Sequence, residues 1–219
     1  MNNIVVCAAD IGSIKRKSFG WSRAEIGQDN PVCGTNIAKF TESIVDDFKK
    51  EKKVALGFEC PLFVPISDKP EDLTKARKGE KNRPWSAGAG SNVLTIGLAE
   101  CVWIFERIRE SNVDVKPTFK WKDFLLDKSN FFIWEAFVTS ASKGNSHCDD
   151  AKLAVNTFKE MYKNSNDIES SISAHKPYSL VGAGLLRSRL TEDRGLLFEN
   201  CIVIKVDMKK KLNRCKQKQ

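Results

Sequence analysis

Five acidic residues stand where chemistry could be done with them. Asp10 ends the apolar run "IVVCAAD", Glu59 ends "VALGFE", Glu135 sits inside "FFIWEAF", and Asp149 and Asp150 open the helical stretch "CDDAKLAV". A lone buried carboxylate costs several kcal/mol unless something pairs with it. Three apolar strands that each carry an acid at or near their end therefore ask for a shared partner. Like charges brought together repel, and a set of hard oxygen ligands suits Mg²⁺ or Mn²⁺ rather than zinc.

The helical pair can be separated by position. "SHCD" matches a capping box, with Ser146 as N-cap and Asp149 reaching back from three residues on. Asp150 stands one turn before Ala154 and two before Phe158, on the face that packs on the sheet, and so is the better metal ligand. His147, three residues before Asp150, reads as a solvent-facing residue of the first turn, an auxiliary metal ligand or a proton carrier.

The elements that must position these acids follow from the pattern. The first strand, a basic turn "GSIKRKS" and "FGWSRAEI" form a hairpin, and Gln28 to Gly34 leaves room for a short third strand. A helix follows with apolar residues at 37, 40, 44 and 48, then the strand 54–59, a helix over 93–110, the strand 131–137, helices over 148–164 and 179–191, and a late strand over 201–206. This order predicts an α/β domain, a mixed sheet whose antiparallel hairpin comes first and whose later strands are parallel, with helices covering it. A helical crossover allows the strand 54–59 to lie parallel to the first. Asp10 and Glu59 would then emerge at the same end of neighbouring strands. Residues 60–91 hold four of the seven prolines and no clear period, which marks a long functional loop.

Composition narrows the partners. The 219 residues carry a net charge of +8, favouring a polyanion. The charge concentrates in 74–83, in 116–122 and in the tail from 205. In the middle cluster Phe119 and Trp121 alternate with Lys120 and Lys122, the mixture of stacking faces and cations used by single-strand binders, though an amphipathic edge strand looks the same. Nucleic acid is the leading partner class. No apolar run is long enough to span a bilayer, and no secretory signal is visible. Seven scattered cysteines without a Cys-x-x-Cys pair argue against a disulfide framework or a zinc site and for reduced thiols in the cytoplasm.

Five motifs in order carry a resemblance: "ADIGS" with "FGW", "ECPLFVP", "ARKGEKNRPW", "IWEAF" and "HCDDAKLAV". Over roughly residues 3 to 190 the chain resembles a family of predicted RNase H-like nucleases, a branch of the ribonuclease H/RuvC-like superfamily. The resemblance implies a three-layer RNase H-like domain over 1–206, with helices on both faces of the sheet, the basic loop 60–91 over the site, and a basic tail 207–219. It further implies hydrolysis of phosphodiesters with two divalent cations, Mg²⁺ or Mn²⁺. Asp10 would bridge both, Glu59 and Asp150 would hold one each, and Glu135 or Asp149 would assist. Arg77, Lys81 and Arg83 would hold flanking phosphates, and Trp85 would stack on a base or anchor the loop. Two alternatives stay open: a catalytically silent nucleic-acid-binding module, and an actin-like ATPase or kinase relative, for which "SAGAGSNV" would cup a phosphate.

Overall fold

The computed structural model describes residues 3–80, 84–138, 144–164 and 167–206. At its centre β1 (Ile4–Asp10) is buried along its whole length, Asp10 included. A strand covered on both faces must be apolar on both, which is why "IVVCAA" runs without alternation. Its side chains still divide by parity. Val5, Cys7 and Ala9 join one hydrophobic core, and Ile4, Val6 and Ala8 join another on the opposite face.

The fold is α/β, built on a mixed sheet as the pattern predicted. β2 (Gly20–Glu25) pairs antiparallel with β1, and β3 (Val32–Gly34) extends that side. After the crossover helix α1 (Ile37–Lys49), β4 (Lys53–Phe58) lies parallel to β1 on its other side. β7 (Phe131–Val138) runs parallel to β4. Two strands share the outer edge of β7: β6 (Pro117–Thr118) along its beginning and β9 (Ile202–Val206) along its end, both parallel. β5 (Phe63–Pro65) and β8 (Pro177–Ser179) form a separate antiparallel pair.

Helices cover both faces. α1, α2 (Ala89–Glu110) and α5 (Leu180–Arg187) contribute Phe40, Ile44, Ile104, Phe105 and Leu185 to the first core. The short α3 (Trp121–Leu125) and α4 (His147–Asn164) contribute Trp121, Phe124, Ala154, Val155 and Phe158 to the second. Among the described residues no helix is long and apolar enough to cross a membrane.

The segment 60–91 is less irregular than its prolines suggest. It holds β5 and a 3-10 turn, Pro70–Asp72, and Lys78 bridges Ser173. α2 begins at Ala89, four residues earlier than the apolar period alone indicates.

One close approach fixes the start of α4. Gly20, opposite Asp10 in the β1–β2 ladder, lies so near the first turn that an added Cβ would fall 2.3 Å from the carbonyl carbon of His147. Backbone cannot yield as a side-chain tip can. Gly20→Ala is expected to cost about 1–3 kcal/mol through overpacking, read as a lower midpoint in urea unfolding.

Candidate metal centre

Asp10 and Glu59 are neighbours because the β1–β4 ladder continues one step past the strands. Ala9 pairs with Phe58, and the Glu59 amide donates to the Ala9 carbonyl at 2.8 Å. Parity then sets the face. Asp10 shares the side of Val6 and Ala8, and Glu59 shares that of Ala55, both facing the core that α4 covers. Asp150, in the first turn of α4, comes down on the same side and is 4% exposed. One ligand atom from each of Asp10, Glu59 and Asp150 lies within 4.8 Å of the others. At that separation two unit charges repel by about 3 kcal/mol at an effective dielectric near 20. Three hard oxygens from three elements form a donor set that fits a Mg²⁺- or Mn²⁺-like cation.

Two contacts orient the set. The Gly144 amide donates to Asp150 Oδ1 at 2.5 Å. His147 Nδ1 lies 2.6 Å from Asp10 Oδ2, a hydrogen bond between the ring and the carboxyl group. His147 thus holds the carboxylate that begins the site, the role an outer hydrogen-bond partner plays around a metal.

Asp149 takes the capping position expected of it and stays outside the cluster. Its amide donates to Ser146 Oγ at 3.2 Å, and Ser146 Oγ donates to Asp149 Oδ2 at 2.8 Å. The carboxylate therefore reaches the capping hydroxyl and not the backbone amide of Ser146.

Glu135 does not join the acids. In β7 it pairs with Phe58 rather than with Glu59, and it follows Phe131 and Ile133 onto the opposite face. There it meets Arg77. The guanidinium donates through Nη1 to Glu135 Oε2 and through Nη2 to Glu135 Oε1, both at 2.7 Å, and through Nε and Nη2 to Glu80 Oε1 at 3.2 and 2.9 Å. It also lies over the Phe63 ring, 4.6 Å from its centroid. The Leu62 amide donates to Glu135 Oε2 at 2.9 Å. Burial works against the Arg77 charge, but the carboxylates of Glu135 and Glu80 outweigh it and hold its pKa above the ordinary value. Arg77 is 2% exposed, so it ties residues 62–80 to the sheet and is not presented to a phosphate.

Other expected contacts are also displaced. Trp121, 2% exposed, packs on Phe132, Phe158 and Tyr162. Phe158 is eight residues beyond Asp150, about 12 Å along the helix, so this aromatic is core and not a stacking platform. Lys120 pairs with Glu199 at 2.7 Å and Lys122 with Asp167 at 3.8 Å, both on the surface near α3. The Trp85 indole donates to the Lys75 carbonyl at 3.1 Å, closing the loop on itself as an anchor would. Lys81, Arg83 and the tail 207–219 lie outside the described residues.

The basic turn named from the sequence is exposed, and one further feature escaped the sequence reading. Lys15, Arg16 and Lys17 are exposed on the β1–β2 turn, beginning five residues after Asp10. Glu100 is buried in α2, its carboxylate accepting from the Gly12 amide while Oε2 has no hydrogen-bond partner among the described residues. Its position, three residues after Gly97 and four before Ile104, marks the helix's buried face. Burial pushes its pKa up from 4.5 to about 7, the Gly12 amide opposing and the Asp10 charge adding to the rise.

No protein-family model, no curated protein and no solved structure matches the chain.

Two outcomes follow. Because the Glu100 pKa rises on folding, stability from its neutral form is complete below about pH 4.5 and is lost as pH climbs through 7. In chelator, Glu100→Gln should therefore gain about 2 kcal/mol on wild type between pH 5 and pH 8, read from thermal melts; a constant difference would contradict this. Arg77→Met leaves two buried carboxylates without their cation and should cost about 3–5 kcal/mol in urea unfolding.

Proposed function

We propose that the chain is a divalent-metal-dependent nuclease of the RNase H-like kind, hydrolysing phosphodiester bonds of nucleic acid. The observation that carries this reading is the convergence of Asp10, Glu59 and Asp150, from two parallel strands and a helix, within 4.8 Å. Their place, at the carboxyl ends of neighbouring parallel strands, is where open α/β sheets bind ligands. The net charge of +8 and the exposed Lys15, Arg16 and Lys17 on the turn that follows Asp10 support a polyanionic substrate.

The residues divide the work by position. Asp10, touched by His147, would hold the metal together with Glu59 and Asp150. Bound there, Mg²⁺ or Mn²⁺ would supply an acidified water and neutralise charge on the phosphate. His147, with its ring partly exposed, holds Asp10 at the solvent side. The Gly144 amide aims the Asp150 carboxylate.

Labelled single-stranded, duplex, hybrid and branched nucleic acids, incubated with Mn²⁺, test the reading. Wild type should cleave at least one of them, and chelator should abolish cleavage. Asp10→Asn and Asp150→Asn should each lower the rate on the order of 10³-fold, the loss of several kcal/mol of transition-state stabilisation. Activity persisting in both variants would remove the mechanism. Binding without cleavage by wild type would favour a silent binding module. A second expectation concerns stability: Mn²⁺ at 100 times its Kd should stabilise the fold by about 2.7 kcal/mol, and Asp10→Asn should lose that gain.

A further inference from the structure

Two thiols sit beside the acids without a part in the chemistry above. Cys33 lies in the edge strand β3, and Cys148 is the second residue of α4, between His147 and Asp150. Cys148 Sγ donates to the Gly34 carbonyl at 3.2 Å, one residue along β3 from Cys33. Cys33 pairs with Ser22, which shares with Ala24 the face that α4 covers, so both thiols lie on the same side of the sheet. Both residues are partly exposed, whereas Cys7, Cys60, Cys101 and Cys201 are buried. Among the described residues, a dissolved disulfide reagent can therefore reach only this pair. The pair also spans a junction between an edge strand and the helical turn that carries Asp150 and the His147 held on Asp10.

We propose that Cys33 and Cys148 are a dithiol site for exchange with a low-molecular-weight disulfide, and that closing the bond between them weakens cation binding by the Asp10–Glu59–Asp150 cluster. One thiolate attacks the reagent's sulfur and releases one reagent thiol. The other then attacks the resulting mixed disulfide and releases the second. One S–S bond breaks, one forms, and the two cysteine protons leave with the released thiols, so no further oxidant enters. Closure fixes the two sulfurs about 2.05 Å apart. Cys148 must then leave the Gly34 carbonyl, and the first turn of α4 shifts toward β3. Asp150 follows two residues on, in a cluster whose three carboxylates tolerate little displacement. The exchange stands on the thiol geometry alone; its effect on cation binding rests on the metal reading above.

Full-length protein is incubated with oxidised glutathione, its remaining thiols are alkylated, and digestion products are weighed. A Cys33–Cys148 cross-link, lighter by two hydrogens and reversed by dithiothreitol, is expected, and Cys33→Ser should lack it. Calorimetric titration should then give Mn²⁺ affinity on the order of tenfold weaker in the oxidised protein, restored on reduction, with Cys33→Ser indifferent to the treatment. Recovery of both thiols as alkylated residues, or as glutathione adducts without the cross-link, would overturn the site. Unchanged Mn²⁺ affinity in cross-linked protein would overturn the coupling. A reduced wild type that binds no Mn²⁺ would overturn the metal reading and the coupling, while the cross-link itself remains decided by mass.

Discussion

Repulsion among three carboxylates is the constraint around which the rest is arranged. Asp10 and Glu59 are forced together by the parallel register of β1 and β4, and α4 adds Asp150 from above. Nothing in ordinary packing would favour that arrangement. Charge-neutral residues at the same three places would be easier to bury. The surroundings instead hold the acids in position: the Gly144 amide on Asp150, His147 on Asp10, and Gly20 giving α4 room to seat its first turn on β2. Under the proposed reading, a bound cation would offset the repulsion within the cluster.

The opposite face of the same sheet solves a similar problem in a different way. Glu135 is as buried as Asp10, yet its charge is met by a guanidinium fork with Glu80 closing the other side. That internal pairing stabilises residues 62–80 against the sheet and leaves no role for an ion. Two acids one step apart in register thus have different surroundings: Glu59 stands with Asp10 and Asp150, and Glu135 faces Arg77 on the other side of the sheet.

Much of this was legible in the sequence. The apolar runs ending on Asp10 and Glu59, the helical crossover between them, and the face shared by Asp150, Ala154 and Phe158 together predict the cluster. The Ser146–Asp149 spacing predicts the cap. What was not legible depends on register and on distant packing. "GFE" and "WEAF" both carry an acid after apolar residues, but only the pairing of Phe58 with Glu135 shows that the two glutamates point to opposite faces. Trp121 reads as an interleaved aromatic because the side chains that enclose it, Phe132, Phe158 and Tyr162, are remote in sequence. Arg77 reads as a phosphate ligand because its two carboxylate partners are not visible as such until the chain folds. Glu100 could have been found from the helical wheel, since it stands among Gly97, Cys101 and Ile104.

The most direct test is anomalous diffraction from crystals of the reduced protein soaked in Mn²⁺. Manganese density coordinated by Asp10, Glu59 and Asp150, with no ion at Glu135, is the expected result. Manganese bound elsewhere, or these three carboxylates turned apart from one another with no metal between them, would contradict it.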